Sequence, residues 1–154
     1  MITDPAMARY VLNELISSQL QIAEAMASGF PDLTEEEHAE FKHCVGFAIA
    51  TVYTFLMIPI IKLHPELDPD RDQDAPRSER QNNQTRTTRT RFAERLTTAS
   101  ERASAHLDAI QEEIARRVDR ETEGHFAREA ERPRRHLQEM RSFAVKVAAR
   151  DSEA

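Results

Sequence analysis

The sequence predicts an all-α protein. The 154 residues contain only three glycines, too few for most loop-rich β architectures. Apolar residues recur at spacings of three and four in long stretches, and no alternating strand pattern is present. Helix-start chemistry stands ahead of the first two stretches. The expected arrangement is an apolar helical hairpin, then a long amphipathic coiled-coil-like helix and a shorter return helix.

The first helix is expected from Pro5 to Ser28. Asp4 is a good N-cap, and Pro5 suits the first helical position because its missing N–H would be unpaired there. Met7, Val11, Leu15, Ile22 and Met26 lie near one stripe, which Ala8, Leu12, Ile16 and Ala23 widen. Gly29 is a natural residue just past the end, and Phe30-Pro31 stops the helix.

The second helix opens at Thr34, where Thr34-Glu35-Glu36-Glu37 has the capping-box pattern. Its acids also complement the helix dipole. Pro59 is expected to kink or end it, since proline removes one hydrogen bond and crowds the carbonyl four residues back. His64-Pro65 closes the segment.

The third helix is expected from about Thr88 to Glu123. Phe92, Leu96, Ala99, Ala103, Leu107, Ile110, Ile114 and Val118 form a stripe with a period near that of an eleven-residue repeat, about 3.7 per turn. The stripe is narrow and rich in alanine, which suits close pairing and marks it as the expected oligomer seam. Gly124 and Pro133 interrupt the pattern. A last helix, about 133–149, places Leu137, Met140, Ala144 and Val147 on one face, with Phe143 beside it.

Charge divides the chain. Residues 1–70 carry three bases against eleven acids, and residues 71–154 carry eighteen bases, seventeen of them Arg, against sixteen acids. From Asp68 to about Thr90 no large apolar residue occurs, so this stretch has little to bury against its ordering entropy. Three regions follow: a helical hairpin over 1–67, a polar flexible linker over 68–86, and a charged amphipathic segment over 87–154. Taken separately, each helical half has a thin core, which predicts a homo-oligomer.

Residues 44–61 contain no charge and are flanked by Lys42 and Lys62, which meets the length of a membrane-span candidate. Gly46, Ala50 and Thr54 form a ridge of small residues of the kind that lets helices pack closely. The alternative is a core helix, apolar all round because it is covered on every side. Met1-Ile2-Thr3-Asp4-Pro5 lacks the positive start and apolar run of an export signal, and the lone Cys44 fits a reducing compartment. The expected location is therefore cytoplasmic, with the inner membrane as the alternative. The run Val45-Gly46, Tyr53, Leu56, Pro59-Ile60, His64-Pro65-Glu66-Leu67 and Pro69 resembles a helix in short uncharacterised bacterial proteins, over roughly residues 5–70. In those proteins charged residues interleave the helix, so the resemblance implies a soluble fold; here the corresponding positions are apolar. It implies no activity.

No constellation predicts catalysis, a metal or a cofactor. Glu40 and His43 form a single Glu-x-x-His, whereas carboxylate di-metal bundles need two plus further glutamates. Cys44 adjoins His43, but helix neighbours point about 100° apart. One cysteine excludes a disulfide framework and a cysteine-based zinc site, and no glycine-rich phosphate loop occurs. Between 77 and 102, seven arginines face three glutamates. Among them Arg86, Arg89, Arg91 and Arg95 are candidate anion-binding residues, because arginine among short polar side chains is what phosphate contacts use. Only Phe92 could stack on a base there, and the formal net charge of −6 argues against nucleic acid as a partner. The expected function is non-catalytic: a helical protein–protein interaction or regulatory protein that self-associates. The alternatives are a single-span membrane protein, spanning about 44–63, with a charged cytoplasmic coil, and a nucleic-acid-associated protein using 77–102.

Overall fold

A computed structural model of the chain describes residues 2–27, 29–71 and 86–151. Four long helices account for most of it: α1 (Pro5–Ala27), α2 (Glu35–Leu63), α3 (Arg89–Arg117) and α4 (Arg120–Asp151). A single 3-10 turn, Pro65–Leu67, follows α2, and no strand occurs among the described residues.

The first two helices start as their caps dictate. The Asp4 carboxylate accepts from the Met7 N–H at 3.0 Å. Gly29 has φ 107°, the left-handed conformation that glycine adopts without a Cβ clash. At Thr34 both halves of the capping box are made: its hydroxyl accepts from the Glu37 N–H, and the Glu37 carboxylate accepts from the Thr34 N–H.

Pro59 does not end α2. The helix passes it by widening to a π-helical interval over Val52–Met57. There the ladder shifts by one residue, so that the Ile58 N–H donates to the Tyr53 carbonyl five positions back. The Thr51 hydroxyl bonds back to the Phe47 carbonyl at 2.6 Å where the interval begins, a contact that bends helices. The change of register keeps Leu56 and Met57 inward before Pro59 and Ile60 inward after it.

The second half departs from the sequence reading. The break after α3 lies at Val118-Asp119, and α4 runs unbroken through Gly124 and Pro133. Asp119 explains the break. Its carboxylate accepts from the Thr122 N–H at 2.8 Å and from the Thr122 hydroxyl at 3.2 Å, so it caps α4.

Cross-helix contacts give the topology. Arg102 meets Gln21 and His106 meets Glu14, so α3 runs antiparallel to α1. Lys146 meets Glu40, and His136 stacks on Phe47, so α4 runs antiparallel to α2. Arg141 meets Glu101 and Arg134 meets Asp108, so α3 and α4 form an antiparallel hairpin. The Gln19 amide donates to the Ile49 carbonyl, and His64 Nε2 lies 3.1 Å from the Ile2 carbonyl, so α1 and α2 are antiparallel too. Two helices therefore run up and two down, with α2 and α3 parallel across the bundle and one long connection between them.

All four helices close on one core that extends from Ile2 to Val147. This overturns the division at 68–86 into two units, because the acidic front half and the arginine-rich back half bury each other. The seam expected on α3 is corrected with it. Phe92, Leu96, Ala99, Ala103, Leu107, Ile110 and Ile114 are all 0–3% exposed within one chain, packed between α1 and α4, and Val118 is half-buried at the end of α3. Leu107, Ile110, Ile114, Leu137 and Met140, each almost wholly buried, contribute roughly 1.5–3 kcal/mol apiece. At one end Phe30, Phe41, Phe92 and Phe143 meet with ring centroids 5.3–6.0 Å apart, joining a loop and three helices. Residues 72–85, most of the expected linker, lie outside the described residues.

Candidate functional site

The candidate site is the outward side of α2. The inward side, from Phe41 through Cys44, Val45, Ala48, Val52 and Leu56 to Ile60, is buried against α1 and α4. The opposite side carries no charge between Lys42 and Lys62, and yet it faces out. Phe47 is 46% exposed, Tyr53 42% and Leu63 42%. Gly46, Ala50 and Thr54, the ridge of small residues, are exposed between them. A Cβ added at Gly46 would meet nothing within 4 Å, so no contact inside this chain requires a glycine there. A glycine in a helix costs about 0.5–1 kcal/mol relative to alanine.

The neighbouring helices frame this face. His43 packs on the Phe47 ring at 4.6 Å between centroids, and His136 of α4 stacks on the same ring at 5.4 Å. The Arg132 guanidinium lies 4.9 Å over the Phe55 ring. Leu20 of α1, 55% exposed, follows Gln19, whose amide reaches the Ile49 carbonyl and the Met57 sulfur. At the far end a small apolar cleft opens between α2 and α4, with Pro59, Leu63, Phe126 and Ile2 in its walls beside His125 and Glu129.

α2 is long and apolar enough to cross a membrane: it has 29 residues, with mean hydropathy 2.2 over its most apolar stretch, of which 44% is buried in the bundle. It is a core helix on one side only.

The arginine cluster does not form one site. Arg89 holds Glu37 with two charge-assisted hydrogen bonds of 2.7 Å, and it also donates to the Asp32 carbonyl. Arg150 approaches the same carboxylate at 3.4 Å. The bond from Arg89, with help from the Thr34 backbone, lowers the Glu37 pKa to about 2. Glu37 is buried and Arg150 half exposed, and together with Arg89 they pin the start of α2 to the start of α3 and the end of α4, which is a structural task. Arg95 is half-buried beside a groove that also contains Gln21, Glu24 and Glu94. Arg86 and Arg91 are exposed, and the Arg86 backbone pairs with Phe30.

The residues weighed for chemistry are apart or engaged. Cys44 is buried, and burial raises its thiol pKa to about 11. His43 beside it is exposed. Glu40 binds Lys146 at 2.9 Å. Among the described residues no three His, Cys, Asp or Glu side chains gather as metal ligands would.

The small ridge is legible in the sequence, whereas its neighbours on the free surface are not. Apolar composition alone did not tell which side of α2 would be covered. The signal available was the charged and polar population of the other three helices, which leaves α2 with the one long charge-free stretch. No family model, curated protein or solved structure matches this chain.

Proposed function

We propose that this chain is a non-catalytic helical interaction protein that binds a protein partner through the outward face of α2. One observation carries the reading: a charge-free face with Phe47, Tyr53 and Leu63 exposed around Gly46, Ala50 and Thr54. A contiguous apolar surface left open on a folded chain is the mark of a binding surface, because its hydration is the cost that association removes. The small residues favour a helix as the bound element, since they let two backbones approach.

The rival reading takes α2 as a membrane span. In this fold α1 and α4 lie along α2, and they carry exposed Arg9, Glu24, Arg132 and Arg135. Surrounding α2 with hydrocarbon would strip these helices away or take their charges into the bilayer, at several kcal/mol per charge. A protein partner covers the open face and leaves those charges in water.

A photo-cross-linking residue placed at Tyr53 in cells tests the reading, with the same residue at Glu112 on the polar side of α3 as control. A discrete protein adduct from position 53 and none from 112 is expected. Lipid adducts from position 53, or no adduct at all, would overturn the proposal.

A further inference from the structure

The partner that best fits this face is a second copy of the chain. We infer that two copies pair α2 against α2 in antiparallel fashion across a two-fold axis near Ala50. The inference rests on the reading of the α2 face as a protein-binding surface and adds the identity and direction of what binds there.

Charge placement along α2 selects this geometry. At its start, Glu37 is bound by Arg89 and Glu40 by Lys146, while Glu35 and Glu36 stand exposed. Near its end Lys62 is exposed, and neither it nor those two acids makes a direct ion pair among the described residues, although Glu36 lies in the field of the Lys146 that Glu40 binds. Residues 43–61 between these ends are uncharged. An antiparallel pair crossing near Ala50 brings Lys62 to the partner's Glu35 and Glu36, twice by symmetry. It also sets the two helix dipoles head to tail. A parallel pair would place Glu35 and Glu36 on their own copies and Lys62 on its own copy, which repels at both ends.

Shape agrees with charge. In the antiparallel register Gly46 meets the partner's Thr54, and Ala50 meets the partner's Ala50. Small residues then line the crossing, while Phe47 and Tyr53 lie to either side as anchors. The surface is self-complementary, as an isologous contact must be. It also gives Gly46 a purpose that the single chain does not.

The experiment uses the full chain. Sedimentation equilibrium of the wild type should give a concentration-dependent dimer. Lys62→Glu turns two symmetry-related attractions into repulsions and should weaken the dimer about tenfold at low salt. Adding Glu35→Lys and Glu36→Lys to it should restore the dimer to within about threefold. Circular dichroism melts check that each variant folds. Disulfide trapping gives the direction independently: Ala50→Cys should cross-link rapidly on mild oxidation, and Gly46→Cys should not. A wild type that stays monomeric up to millimolar concentration overturns the inference. So does a dimer indifferent to Lys62→Glu, or equal trapping at positions 46 and 50. If the cross-linker at Tyr53 captures a different protein while the chain is monomeric, self-pairing fails and the docking face stands. If it captures nothing, both fail.

Discussion

At the scale of single residues, the chain concentrates its electrostatics in one place. Glu37 serves two masters: it completes the capping box of α2 and receives both nitrogens of Arg89 from α3. Its folded pKa, about 2, lies below the ordinary carboxylate value because the Arg89 bond favours the charged form. A depressed pKa gives stability that is fully present above the unfolded value and is lost as the pH falls towards the folded one. Between about pH 4.5 and 2, wild-type stability should therefore drop by about 2 kcal/mol more than that of Glu37→Gln, measured by urea unfolding across that range. At neutral pH, Arg89→Met should cost about 2–4 kcal/mol, because it leaves a nearly buried carboxylate without its main partner. Cys44 gives a second residue-scale expectation. Buried in α2 with its thiol pKa pushed up to about 11, it offers little thiolate and little access. It should resist alkylation at neutral pH in the folded chain and react at once in denaturant. Fast native labelling would show that α2 leaves the bundle.

Element boundaries show which signals are local. The starts of α1 and α2 were legible because each cap is a contact within four residues, made by Asp4 and by the Thr34–Glu37 pair. The end of α3 rests on the same kind of contact, Asp119 with Thr122, but Gly124 and Pro133 masked it as stronger punctuation. Neither breaks α4. Packing on α2 and α3 holds the helix through both, and tertiary burial outweighs a propensity cost of this size. Gly124 is a test of that account. A Cβ there meets nothing within 4 Å, so Gly124→Ala removes unfolded-state freedom without a clash. It should stabilise the protein by about 0.5–1 kcal/mol, read as a raised melting temperature. A destabilised variant would mean that the glycine relieves strain in α4. The π interval of α2 was not legible, since Pro59 announces that the ladder must change but not where the extra residue goes.

At the scale of the whole molecule, the charge break near Asp68 looked like a domain boundary and is instead a crossover within one bundle. Local composition reports whether a segment can bury itself, not which distant segment it can bury. The stripe on α3 was therefore read correctly as a packing surface and assigned to the wrong partner, a second chain in place of α1 and α4. The parallel arrangement of α2 and α3 has a mechanical consequence for residues 68–88. Arg89 lies beside Asp32 and Glu37 at the start of α2, whereas Leu67 lies past its end. The two described ends to be joined therefore lie at opposite ends of a helix of 29 residues, about 40 Å apart at 1.5 Å per residue. From Leu67 to Arg89 an extended chain reaches about 70 Å, which is ample. Deleting 69–86 leaves about 14 Å of reach, too short to let α3 enter beside α1 while α2 stays in place. That deletion should abolish cooperative unfolding of the single chain or force exchange of α3–α4 between chains, seen as a swapped dimer by light scattering. Deleting 74–79 alone leaves about 50 Å and should cost under about 1 kcal/mol, since loop closure depends only weakly on length. If the longer deletion still folded as a monomer with full helix content, the antiparallel pairing of α3 with α1 would have to be wrong, and with it the shared core.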